Sequence, residues 1–419
     1  VSHARGRIGI LDALFMSTSA VCVTGLATLD TSMDLTRFGH VVIIFLMQLG
    51  GLGIMTFAAL GAQVVGRRLS FRSQAILSDS LYQSDAAGAL RTDLKRVFLL
   101  TFLIEASGVL LLYSEFRQRT TEPEAMFSAV FHGISAFCNC GLGLYSDSLI
   151  SYRARPIVLC TVMALIILGG LGHSVILEAA RRTKRRLLGR PGGPMMMSLH
   201  GRVVLRTTAC LIVAGTVGLL AFGQTPDERT WGECIWGALF QSVTSRTAGF
   251  NTVNLGNLPA ASLLVLILLM FVGGSPASCA GGIKTTSLAV WIAHLRARLQ
   301  GMEDTTLLGR RLPPDTITRV ALVGGLSLVW NLAGCFVLAV TEAHGGSQMT
   351  FLNLLFEQIS AFGTVGLSTG ITPGLSGVGK LWIIMTMYIG RIGPLTAAMA
   401  VLLPQPAAVR YPQERVMIG

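Results

Sequence analysis

Seven apolar stretches in this chain are long enough to cross a bilayer and four are not. The order in which they alternate constrains the fold more than any other feature. The long stretches run over Val41–Val64, Val97–Tyr113, Ile157–Ala180, Val203–Gly223, Ala261–Ala293, Val320–Val340 and Leu381–Leu403. Each is close to or above the roughly 20 residues that a helix needs to span the hydrocarbon core. The short ones are Ile10–Ala20, Ala125–Phe137, Trp231–Val243 and Phe351–Ala361. Segments of that length read as buried helices or re-entrant half-spans, and irregular backbone at membrane depth survives only where protein encloses it or where it lines a watery cavity. The order is short–long once, then long–short–long three times, which predicts one further membrane helix ahead of Val1.

Composition agrees with an all-α integral membrane protein: 52% of residues are hydrophobic and 13% charged, about half the charge of a typical soluble domain. Segments 65–96, 181–202 and 294–319 carry Lys and Arg at more than three times the density of segments 1–40, 114–156, 224–260 and 341–380. The positive-inside rule therefore places the first set in the cytoplasm, and all four short segments enter from outside. The net charge of +12 reports topology and contact with anionic lipid, not nucleic acid. A unit with two full spans returns the chain to the same side, so successive units share one orientation about an axis along the membrane normal, where a common pore can lie. The eight Cys lack paired metal spacing and read as small buried hydrophobes. HExxH does not occur and no buried acidic pair is evident, which leaves little support for an intramembrane enzyme.

Each short apolar segment ends in a related sequence. The four are Cys22-Val23-Thr24-Gly25, Cys138-Asn139-Cys140-Gly141, Arg246-Thr247-Ala248-Gly249 and Gly363-Thr364-Val365-Gly366, followed by Leu26, Leu142, Phe250 and Leu367. Phe15, Phe131 and Phe356 stand ten residues before their glycine, and Phe240 stands nine before. A half-helix followed by an extended strand ending in glycine can aim successive carbonyls at a central axis, because glycine permits the backbone angles and the close approach required. Four copies give rings of oxygens able to replace the hydration shell of a monovalent cation.

The fifth long stretch cannot be one helix. Its middle reads Gly273-Gly274-Ser275-Pro276-Ala277-Ser278-Cys279-Ala280-Gly281-Gly282, and interior Gly and Pro cost a helix about 1 and about 3 kcal/mol each. The segment should unwind below the third motif and obstruct the path there. Lys284 follows, without the Gly-Lys adjacency of a phosphate loop, and is expected to snorkel to the cytoplasmic side or to line an inner cavity. Arg391 falls near the middle of the last stretch, where an arginine costs about 2.5–3.5 kcal/mol. It is expected to face the pore as a barrier to cations and to pair with carbonyls of the unwound segment. His173 is placed at the matching position of the second unit, as a packed, hydrogen-bonded histidine or one facing the inner cavity. Gly50–Gly53 and Gly169–Gly172 read as close-packing sites, and Glu105 as a buried carboxyl with an internal partner.

This arrangement resembles the Trk/Ktr/HKT superfamily of potassium transporters over nearly the whole chain. The most specific pieces are Thr18–Leu26, Ser245–Thr252 and the stretch around Arg391. The resemblance implies four concatenated helix–pore-loop–helix repeats around a pseudo-fourfold central pore, over residues 1–64, 97–180, 203–298 and 320–404, with a tail at 405–419. It implies a potassium filter at Gly25, Gly141, Gly249 and Gly366, the ion held by backbone carbonyls, and an intramembrane gating loop at Gly273–Gly282. Gly25, in place of the serine of sodium-preferring relatives, implies potassium. The branch implied is the Ktr membrane subunit: a homodimer on a cytosolic nucleotide-binding regulatory ring, with sodium as a possible activator and no nucleotide bound by this chain itself. The alternative is a secondary carrier with a midplane site formed by broken helices, against which four motifs of one orientation argue.

Overall fold

The computed structural model describes residues 8–53, 87–187, 197–223, 231–343 and 349–401. Residues 54–64 of the first expected span, the basic residues at 67, 68 and 72, residues 188–190 and the tail at 405–419 lie outside the described residues.

The helices fall into four groups. The first holds α1 (Ile10–Val21), a single turn α2 (Thr31–Asp34) and α3 (Arg37–Leu52). The second holds α4 (Ala87–Phe116), α5 (Glu122–Phe137), α6 (Pro156–Leu171) and α7 (His173–Leu187). The third holds α8 (Leu199–Ala221), α9 (Trp231–Thr244), α10 (Ala260–Phe271) and α11 (Thr285–Leu299). A two-stranded hairpin (β1 Thr306–Leu307, β2 Arg310–Arg311) leads to α12 (Pro314–Glu342), α13 (Phe351–Gly363), α14 (Gly377–Ile392) and α15 (Pro394–Val401). Local sequence sets these starts. Thr36, Ser198, Thr350 and Ser376 accept a backbone N–H in the first turn, and prolines open α5, α6 and α12, where the missing N–H costs nothing.

The groups close on one another in a cycle. Each short helix packs inside its own group, and the helix that follows it packs on the short helix of the next group: α3 on α5, α6 on α9, α10 on α13, and α14 back on α1. Four apolar clusters fill these junctions, and each contains one of the repeated phenylalanines, Phe15, Phe131, Phe240 and Phe356, all fully buried.

Helix α12 has the polarity of a lipid-facing element. Leu328, Val329, Leu332 and Phe336 are exposed, whereas Ser327, Asn331, Gly334 and Glu342 are buried. That is the reverse of a soluble helix, and small or hydrogen-bonded residues make the interior contact, as lipid requires. Among the described residues three helices are long and apolar enough to span a bilayer: Arg96–Phe116, Leu199–Ala221 and Pro314–Glu342.

In the first, second and fourth groups the helix after the short one ends before the span expected from the sequence does. The expected Ile157–Ala180 bends by 105° between α6 and α7, and Leu381–Leu403 breaks between α14 and α15. Gly53, Gly172 and Gly393 terminate α3, α6 and α14 with φ of 87°, 86° and 95°, a left-handed setting that ends a helix and that only glycine adopts freely. Hydropathy is blind to this because the apolar run continues past the glycine.

Candidate functional site

The four repeated motifs meet. Each short helix gives way to an extended segment in which the residue two before the glycine is left-handed: Val23 (φ 56°), Asn139 (60°), Thr247 (76°) and Thr364 (49°). The glycine is left-handed as well, with φ of 92° at Gly25, 75° at Gly141, 82° at Gly249 and 88° at Gly366. Valine and threonine adopt such a φ only where surrounding structure imposes it. Two left-handed residues flanking one ordinary residue turn alternate peptide planes over, so carbonyls that would alternate along a strand face one way.

Their direction follows from what each glycine faces. Gly25 lies against the carbonyl oxygen of Cys140, Gly141 against that of Ala248, Gly249 against that of Val365, and Gly366 against that of Thr24. The four contacts form a closed ring in chain order. A β-carbon at Gly249 would lie 2.6 Å from Val365 O and 3.3 Å from the α-carbons of both Gly141 and Gly366; at the other three glycines the carbonyl is closer still. Hydrogen is therefore the only side chain that fits at all four positions.

The ring is braced by residues that sequence reasoning missed. Thr24, Cys140 and Val365 donate their N–H five residues back to the carbonyls of Ser19, Ser135 and Ser360, each at 2.8 Å. The hydroxyl of Ser19 accepts from Gly25 N at 3.0 Å, and that of Ser135 donates to Leu142 O at 2.7 Å. Thr244 takes this place in the third unit, donating to Phe250 O at 2.9 Å, while Ala248 N reaches back only four residues, to Thr244 O at 2.9 Å. The third unit thus lacks one residue between helix and ring, which also puts Phe240 nine rather than ten before its glycine. A hydroxyl residue six before the glycine in three units and five before it in the third was the signal available in the sequence. Asn139 turns its amide nitrogen to the carbonyls of Ala136, Phe137 and Ile166, and its oxygen accepts from Thr247 Oγ1 at 3.1 Å, linking the second and third units.

Behind the ring, the glycines read as close-packing sites hold the helices against it. Gly50, Gly169 and Gly390 lie on the carbonyls of Val21, Phe137 and Phe362, each four residues before a ring glycine. This register equates Arg391 with Gly51 and Gly170, not with His173; the sequence-based match of His173 to Arg391 is off by three residues, and His173 corresponds to Pro394.

Residues 272–284 separate α10 from α11. The segment closes at its neck, where Gly273 N donates to Ile283 O at 2.9 Å and Thr285 N to Gly274 O at 3.0 Å. It is tied to neighbouring groups by Ser275 N to Gly170 O (3.0 Å), Cys279 N to Gly169 O (3.2 Å) and Gly282 N to Gly390 O (3.2 Å). Gly281 N donates to Thr364 Oγ1 at 3.0 Å, directly on the fourth ring segment. His173 contacts Ala277 O through its backbone N–H (3.1 Å) and through Nδ1 (3.0 Å), as a packed, hydrogen-bonded residue. Arg391 donates through Nη1 to Cys279 O and through Nη2 to Gly50 O. Lys284 folds back so that Nζ donates to Ala280 O at 2.6 Å, rather than extending away as a snorkelling side chain does. Glu105 accepts from Gln48 Nε2 at 3.2 Å, and Cys138 Sγ donates to Gln48 Oε1 at 3.6 Å.

The comparisons with known proteins fit this architecture. A family model described as TrkH, cation transport protein, matches residues 3–411. The chain is 36% identical over 413 residues to Ktr system potassium uptake protein B of Bacillus subtilis, covering 98% of this chain and 89% of the relative. It is 33% identical over 419 residues to the potassium/sodium uptake protein NtpJ of Enterococcus hirae, covering 98% and 90%. In fold it matches the crystal structure of the potassium transporter TrkH from Vibrio parahaemolyticus, with a TM-score of 0.72 at 17% identity, over 95% of this chain and 79% of that one. These relatives are transporters rather than enzymes, and the apolar spans agree with a multi-pass protein of the cell membrane. On the family match, with two full-length relatives above 30% identity, this chain belongs to the TrkH family of cation transport proteins.

Proposed function

We propose that this chain is the ion-translocating membrane subunit of a potassium uptake system, seated in the bacterial cell membrane, with potassium as cargo. The closed ring of four glycines and four carbonyls carries the reading. In this reading the ring is a selectivity filter formed by Cys22–Gly25, Cys138–Gly141, Arg246–Gly249 and Gly363–Gly366. Carbonyl oxygens substitute for the hydration shell of potassium, and the four groups are helix–pore-loop–helix repeats about one pore. We place these repeats at residues 1–64, 97–180, 203–298 and 320–404, so that the breaks at Gly172 and Gly393 fall within the second and fourth.

Gly273–Gly282 is the gate. It is unwound, closed at its neck, and bonded to the second, third and fourth groups beneath the ring. Arg391 is its anchor: a permanent cation that holds Cys279 O to Gly50 O and adds positive charge on the path. A negative-inside potential drives uptake by about 2.3 kcal/mol per charge per 100 mV. The name of the Bacillus subtilis relative, protein B of a Ktr system, supports a subunit role; the assembly we propose, on the family resemblance, is a homodimer on a cytosolic nucleotide-binding ring. The name of the Enterococcus hirae relative supports a test of sodium as a second cation or activator. Deleting Ser275–Cys279 tests the gate: cation flux into proteoliposomes should rise severalfold, and unchanged flux from a correctly folded variant contradicts it.

A further inference from the structure

Position three before the ring glycine is Cys22, Cys138 and Gly363 in three units and Arg246 in the third. A charge there needs a reason, because an arginine at membrane depth costs about 2.5–3.5 kcal/mol and cannot shed its proton. The Arg246 side chain is buried, with 7% exposure, and among the described residues no salt bridge engages it. Its Nη2 donates to Gly273 O at 3.2 Å and its Nη1 reaches Thr208 O at 3.5 Å, while Nε has no partner. The bond to Gly273 is therefore the main hold.

Gly273 is where the unwound segment leaves α10. The guanidinium thus sits at the C-terminal end of a twelve-residue helix, where the helix dipole favours a cation, and a charge-assisted bond is stronger than a neutral amide would make. The next residue, Thr247, is one of the four left-handed ring residues, and its Cγ2 would meet a β-carbon on Gly273 at 3.4 Å. Gly273 also closes the neck through Ile283 O. One two-residue stretch, Arg246-Thr247, therefore belongs to the ring by its backbone and to the neck of the segment by its side chains. Arg391 holds the same segment at a different residue, Cys279 O, without contributing backbone to the ring.

We infer that Arg246 is a positioning residue that couples the third ring segment to the neck of the gate, so that displacement of the gate is transmitted to the ring carbonyls and ring occupancy biases the gate. This rests on the reading of Gly273–Gly282 as a gate. Such coupling is reciprocal and typically amounts to a five- to 150-fold effect.

The test is a double-mutant cycle in proteoliposomes, with potassium and sodium fluxes measured separately. It compares the parent, Arg246→Gln, the deletion of Ser275–Cys279, and the two changes combined. Coupling predicts that Arg246→Gln raises potassium flux about tenfold and lowers the potassium-to-sodium ratio when the gate is intact, and that its effect on flux disappears when the gate is deleted. An equal effect in both backgrounds overturns the coupling and leaves the gate reading standing. A deletion that itself leaves flux unchanged overturns both. If Arg246→Gln is not recovered folded, the same cycle is run with Arg246→Lys, which keeps the charge but offers a compact ammonium in place of the planar fork; a rise of about threefold, abolished by the deletion, is expected there, and equal effects again refute the coupling.

Discussion

Replacing each ring glycine by alanine in turn separates steric fit from backbone strain. All four glycines have φ between 75° and 92°, so the backbone penalty for a side chain, about 1 kcal/mol, is common to the series. The space is not. At Gly249 the new β-carbon would stop 2.6 Å from Val365 O, about 0.8 Å short of ordinary contact. At Gly25 the shortfall against Cys140 O is close to twice that, with Gly366 next and Gly141 between. Each obstructing atom is a backbone carbonyl of the neighbouring ring segment and cannot swing aside as a side-chain tip would. Overpacking of this kind costs typically 1–3 kcal/mol. Taking Gly25→Ala at about 3 and Gly249→Ala at about 1 kcal/mol, potassium flux should differ by about thirtyfold between them. The assay is initial rubidium and sodium influx per reconstituted protein, with melting temperature recorded in parallel. The expected order of damage is Gly25, Gly366, Gly141, Gly249. Equal effects across the series, or Gly249→Ala as the worst, would refute the claim that the neighbouring carbonyl sets the tolerance.

Three further outcomes follow from the same geometry. Arg391→Ala removes the bond to the gate at Cys279 O and the bond to α3 at Gly50 O, and should raise potassium flux severalfold at unchanged expression; parent-like flux would reject the anchor. Thr247→Val keeps the branched shape at the left-handed position but loses the bond to Asn139, which should lower stability by about 1 kcal/mol and widen the range of cations passed, both read from a melting curve and a potassium-to-sodium flux ratio. Asp30, at the start of α2, is pushed up by burial but more strongly pulled down by hydrogen bonds from Ser146, Ser32 and the Met33 backbone, so its carboxyl sits below the usual range. Its contribution to stability is then present above the unfolded value near 4 and fades as pH falls through the lower folded value; the difference in melting temperature between parent and Asp30→Asn should shrink as pH is lowered through that range, and a difference constant with pH would contradict it.

The sequence made some of this legible and hid the rest for identifiable reasons. The short helices were visible to within a few residues because their apolar runs stop at polar or glycine-rich motifs: Phe351–Ala361 was expected and α13 covers Phe351–Gly363. The break at Gly273–Gly282 was visible because glycine and proline are concentrated there. The helix ends at Gly53, Gly172 and Gly393 were not, since one left-handed glycine inside an apolar run leaves the hydropathy nearly unchanged. The ring glycines were found from repetition, whereas the supporting hydroxyls Ser19, Ser135 and Thr244 are common residues whose role appears only once the helix-to-ring geometry is known. Arg246 was assigned to the ring by its place in the motif. Its backbone does lie there, but the destination of its side chain, Gly273 O, is 27 residues away in sequence and could not be read from spacing.

The most direct test of the account is cation selectivity of the unaltered chain. Purified protein reconstituted into liposomes, alone and with a cytosolic nucleotide-binding partner, is compared for potassium, rubidium and sodium influx under an inside-negative potential. Potassium and rubidium entry with sodium held well below both is the result predicted for a ring of four glycines and their carbonyls. Equal entry of sodium and potassium, or no cation entry in either preparation, would contradict it.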